Sequence, residues 1–113
     1  MGANLIHKMT YVSVGALEDF HVRIGRVVHT QQGEIAVFRT TDNQLFALEN
    51  KSPHRKGGPL AEGMVSGRML YDPLYDLKIS LESGLVQAPD NGQVKTYPVH
   101  VIGNKVLLGL TDE

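Results

Sequence analysis

Two stretches decide how this 113-residue chain is read: NKSPHRKGGPLAEG, from Asn50 to Gly63, and DPLYDLK, from Asp72 to Lys78. The first holds two prolines, three glycines and several charges, so hydrophobic periodicity stops there and a loop is expected. The second opens on Asp72-Pro73, and that proline opposes both a helix and a central strand. Seventeen residues, Arg55 to Tyr71, separate His54 from Asp72, with a strand pattern near Arg68 to Tyr71 between the loops.

Outward from these loops the pattern is one of short β-branched runs broken by Gly, Asn, Asp and Pro, which predicts an all-β chain. Tyr11 to Val14 reads as a first strand, Ala16 to Phe20 as one helical turn, and Arg26 to His29 as a strand entering the turn Gln31-Gln32-Gly33. Glu34 to Arg39 places Ile35, Val37 and Arg39 on one face and Ala36 and Phe38 on the other. Asp42-Asn43 is a turn pair, and Leu45 to Glu49 returns as the second arm of a hairpin. Both faces of this hairpin are largely apolar, which suits a sandwich or closed barrel. Asp76 to Ile79 is short and extended, while Glu82-Ser83-Gly84 and Pro89 to Gly92 are turns. Tyr97 to Val101 and Lys105 to Leu110 form a last hairpin about Gly103-Asn104, with Pro98 marking an edge or a bulge.

Composition narrows the function classes. Leu, Ile, Val and Phe supply 33 residues, enough for a core in one domain spanning 1–113. Residues 1–9 are expected as a disordered N-terminal extension. The net charge is -1 and the only basic knot is His54-Arg55-Lys56, so nucleic acid is not an expected partner. No run approaches the roughly 18 apolar residues of a membrane span. Met1 to Thr10 lacks the apolar core of a signal peptide, and a cytoplasmic protein is expected. There is no cysteine, which excludes disulfides, thiolate metal sites and a thiol nucleophile. No Ser-His-Asp arrangement, phosphate-binding glycine loop or HExxH motif is present, so no catalytic residue is assigned.

The two loops resemble those of a Rieske centre, Cys-x-His and Cys-x-x-His, in which one iron takes two thiolates and the other two imidazoles. Ser52 and Asp72 stand at the cysteine positions, and His54 and Tyr75 at the histidine positions. The run Asp76 to Gly84, DLKISLESG, then VQAPD from Val86 to Asp90 and Lys95 to Val99, is similar to the small subunit of assimilatory NAD(P)H-dependent nitrite reductase. In that family some members keep the four ligands and others lack them. The resemblance implies a small antiparallel Rieske-like β-sandwich with two adjacent cluster-type loops. It also implies an accessory role beside a large catalytic subunit that carries FAD, siroheme and an iron–sulfur cluster and reduces nitrite to ammonium. The chain itself is expected to hold neither metal nor cofactor.

Competing readings attach to the same residues. His54 with Asp72 and Tyr75 suits a mononuclear metal site, or His54 hydrogen-bonds the facing loop and ties the two together. A Rieske-type ferredoxin is a further reading, and it requires a cluster. Arg55 and Lys56, with Pro59, Leu60, Pro73 and Leu74 beside them, form a candidate docking patch of charge around apolar side chains; the plainer reading of Arg55 and Lys56 is a solvated loop tip.

Overall fold

The computed structural model describes residues 8–111 and contains ten strands and one 3₁₀ turn, Leu17–Asp19. The strands are β1 (Met9–Ala16), β2 (Arg26–Thr30), β3 (Gly33–Arg39), β4 (Leu45–Glu49), β5 (Met64–Ser66), β6 (Met69–Tyr71), β7 (Lys78–Ser80), β8 (Thr96–Tyr97), β9 (Val99–Ile102) and β10 (Lys105–Thr111). They pair antiparallel in three sheets, ordered β1-β10-β9, β2-β3-β4-β8 and β5-β6-β7. Most of the expected N-terminal extension lies outside the described residues; Met9, its last residue, instead begins β1 and pairs with Thr111.

Alternation along β3 explains how the sheets stack. Ile35 and Val37 point into a core shared with Phe20, Tyr97, Val106, Leu108 and Leu110. Ala36 and Phe38 point the other way, into a second core with Leu48, Leu60, Val65, Leu70 and Ile79. The β2-β3-β4-β8 sheet is therefore a middle layer, with the β1-β10-β9 sheet on one face and β5-β6-β7 on the other. A strand buried on both faces needs apolar residues at every position, and Ile35 to Phe38 are all at most 1% exposed.

Pro98 sits where the chain changes sheets. Tyr97 pairs with Ala47 in the middle sheet, and Val99 pairs with Leu108 in the outer one. A residue without an N–H fits the joint between two ladders. The last hairpin forms about Gly103, which takes a positive φ of 62°.

The third sheet exceeds what the sequence pattern predicts. β5 has a single buried apolar residue, Val65, between Gly63 and Gly67, too short a run to show alternation. Its partner β6 continues into Asp72, so this small sheet carries the second loop out of the core. Arg68, at the β5–β6 turn, pairs with Asp42 of the β3–β4 turn in the middle sheet at 3.0 Å and with Glu82, just after β7 of its own sheet, at 2.7 Å. The Thr40 hydroxyl and then Arg68 hold the Asp42 carboxyl below the usual carboxylate range.

Two outcomes are expected. Gly84 has φ 76°, and a Cβ there would lie 2.1 Å from the Val94 carbonyl oxygen; Gly84→Ala should lower the unfolding free energy in urea by about 2–3 kcal/mol. The lowered Asp42 value contributes stability above its unfolded-state value, and this is lost as pH falls through the folded-state value. Arg68→Gln should accordingly shrink the acid-side fall in melting temperature across that interval, measured by thermal melts against pH.

Candidate functional site

The two loops meet at one end of the β5-β6-β7 sheet. Asn50, the first residue after β4, closes the base of the first loop. Its Oδ1 accepts the N–H groups of Leu60 and Ala61 at 2.8 and 2.9 Å, and its Nδ2 donates to Glu34 at 3.1 Å. Within this closure Ser52 N–H donates to the Gly58 carbonyl and Gly57 N–H to that of His54. Gly57 lies so near Ser52 that a Cβ at position 57 would fall 2.4 Å from the serine Cβ, so this position admits only glycine without rearrangement.

In the second loop Asp72 is 2% exposed. Its Oδ1 accepts the Leu74 N–H at 2.9 Å, its carbonyl accepts the Asp76 N–H, and its own N–H donates to Leu77. This is an Asx-type turn, in which a carboxylate caps the backbone two residues on. Asp76 completes it with a φ of 58°, a left-handed conformation that Asp tolerates better than most residues.

The four ligand-frame positions pair across the loops. Ser52 Oγ donates to Asp72 Oδ2 at 2.5 Å, so the residues at the two cysteine positions bond directly to each other. His54 stacks on Tyr75, ring centroids 3.7 Å apart and planes 7° from parallel, so the residues at the two histidine positions also touch. The tie expected of His54 thus exists as ring stacking, while its Nδ1 accepts the Lys56 N–H within its own loop at 3.1 Å. The hydrogen bond between the loops belongs to Ser52 instead.

Of the proposed docking residues, Arg55, Lys56, Pro59, Pro73 and Leu74 are exposed, Leu74 by 64%. Leu60 is fully buried in the core beneath the loops and leaves the patch. A leucine beside two glycines and a proline reads as a loop residue, and only the tertiary packing turns it inward. Tyr75, 42% exposed, joins the patch in its place. Asn50 was not singled out by its sequence; its position directly after a strand and before a proline-rich loop is the one available signal.

The profile of the Rieske-like [2Fe-2S] domain matches residues 10–109, and the chain belongs to that family. The ferredoxin component of a naphthalene 1,2-dioxygenase system from Pseudomonas aeruginosa is 25% identical over 105 residues, covering 91% of this chain and 100% of the ferredoxin. Among solved structures, a protein assigned as an NADH-dependent nitrite reductase small subunit from Mycobacterium tuberculosis matches with a TM-score of 0.84 at 20% identity, over 94% of this chain and 99% of its own. One assigned as a nitrite reductase NADPH small subunit matches with a TM-score of 0.77 at 27% identity, over 88% of this chain and 97% of its own. The fold is thus shared with proteins assigned as nitrite reductase small subunits, and the chain is similar over most of its length to an oxygenase ferredoxin.

The donor set does not fit the family's cluster. A Rieske centre needs two thiolates on one iron, and the chain contains no cysteine. Ser52 and Asp72 present hard oxygen where soft sulfur is needed. The one imidazole of the frame, that of His54, has its Nδ1 engaged by the Lys56 N–H of its own loop. Of the mononuclear set, Asp72 accepts from Ser52 and Leu74, and His54 is stacked on Tyr75. Among the described residues no three His, Asp or Glu side chains gather as a ligand set.

Asn50→Ala strands the Leu60 and Ala61 N–H groups inside the protein. The variant should lose about 2–4 kcal/mol of unfolding free energy in urea, two buried donors at 1–3 kcal/mol each with partial relaxation.

Proposed function

We propose that this chain is an accessory small subunit of an NAD(P)H-dependent nitrite reductase, serving nitrite reduction to ammonium in the cytoplasm without a cluster of its own. The observation that carries the reading is the paired state of the ligand frame: the Rieske loops keep their place, yet Ser52 and Asp72 satisfy each other where thiolates would bind iron. Such a tip can present a surface but cannot carry an electron. The run from Asp76 to Asp90, and the likeness to two proteins assigned as nitrite reductase small subunits, support this placement among Rieske-like proteins. Electron transfer then belongs to the flavin, siroheme and iron–sulfur cluster of a large subunit.

The tip is the docking surface in this proposal. Leu74 and Tyr75 offer apolar area, and Arg55 and Lys56 at the rim attract an acidic partner surface. Exposed apolar side chains next to paired rings supply contact area at little further cost in side-chain freedom. Arg55→Glu with Lys56→Glu should weaken capture of the large subunit at least tenfold, and Leu74→Ala should weaken it further. Binding unchanged by the charge reversal would remove the tip from the interface.

A second reading, an electron-carrying Rieske ferredoxin, draws on the full-length likeness to the dioxygenase ferredoxin. Purified protein separates the two. The accessory-subunit reading expects a colourless preparation with no stoichiometric iron, and a visible absorption band with two irons per chain would favour the ferredoxin.

A further inference from the structure

We propose that the ligand frame has been rebuilt as a metal-free interlock: Ser52 with Asp72, and His54 with Tyr75, take over the cross-linking of the two loops that a cluster provides elsewhere in the family. This inference is independent of the nitrite reductase reading, because it concerns only how the tip is held.

The argument starts from the pairing. Loss of a ligand set by drift would leave four unrelated side chains, with buried polar atoms unpaired or turned to solvent. Here the substitutions are complementary in pairs. The two buried positions carry a hydroxyl donor and a carboxylate acceptor, 3% and 2% exposed, bonded at 2.5 Å. The two outer positions carry two flat rings, stacked 7° from parallel. Each position thus touches the residue that, in a cluster, would share its iron.

The interlock also inherits the backbone donors. Ser52 Oγ accepts the His54 N–H at 3.2 Å, and Asp72 Oδ1 accepts the Leu74 N–H at 2.9 Å. Those N–H groups lie two residues beyond each former cysteine position, and an acceptor at that position satisfies them without metal. Ser52 therefore accepts from its own loop while donating to the other, and Asp72 accepts from both. Removing either member leaves the other's buried oxygen and a part-buried N–H of its own loop without their partners, so the two residues act as one unit.

The direct test is amide hydrogen exchange on the full chain, with Ser52→Ala, Asp72→Asn and the double variant. Exchange at residues 52–58 and 72–77 should accelerate about tenfold or more in each single variant, with β10 unchanged. The double variant should add little to the larger single effect. Tyr75 is partly exposed, so its variants should fold even where a buried substitution does not. Tyr75→Ala should accelerate exchange at 54–57 and 73–76, and Tyr75→Phe, which keeps the ring, should restore protection. Strictly additive effects of Ser52→Ala and Asp72→Asn would overturn the interlock. So would loss of tip protection in wild-type protein on treatment with a metal chelator, or a Tyr75→Phe variant as open as Tyr75→Ala.

Discussion

Burial of β3 on both of its faces is the constraint on which the rest of the structure depends. Ile35 and Val37 need cover on one side, and Ala36 and Phe38 on the other. A two-sheet sandwich covers only one face of each sheet. The second face of the middle sheet is covered here by three short strands and the loops that leave them. Leu60, Val65, Leu70 and Ile79 supply that cover, and all four are at most 1% exposed. The loops at the tip are therefore anchored from below by the same core that satisfies β3.

That anchoring gives the tip its form. Asn50 joins the end of β4 to the inward turn at Leu60, and Asp72 organises the loop that leaves β6. Backbone N–H groups withdrawn from water need acceptors, and in each loop one side chain provides them, for buried groups in the first loop and a part-buried one in the second. Once the two loops are fixed at their bases, Ser52 and Asp72 are close enough to bond and His54 and Tyr75 to stack. Polar and ring contacts then occupy the place where the family's chemistry would require sulfur and two imidazoles. Membership of a Rieske-like family consequently describes the scaffold of this chain, while its donor set determines what chemistry the scaffold can perform.

Arg68 illustrates how modest the remaining ties are. It bridges turns from the middle and third sheets, but at the surface, where solvent screens both ion pairs. The larger share of cohesion between these layers comes from the apolar residues beneath it. Pro98 has a different role: by ending one ladder and allowing the next to begin, it lets one chain segment edge the middle sheet and then the outer one.

The amino-acid sequence by itself determined the strands with clear alternation and good turn residues, β3, β4 and the β9–β10 hairpin among them, because period and turn chemistry are local properties. It also determined that no thiolate site exists, since that follows from composition alone. The ligand frame at Ser52, His54, Asp72 and Tyr75 was legible through the resemblance of the two loops to those of a Rieske centre. Only the tertiary structure decided that β5 pairs as a strand, that Leu60 turns inward, and that the frame positions join as Ser52 with Asp72 and His54 with Tyr75. The frame contacts join residues some twenty positions apart, brought together by the packing of a third sheet against β3. Hydrophobic periodicity carries no record of such contacts, because short strands and loops have too few residues to display one.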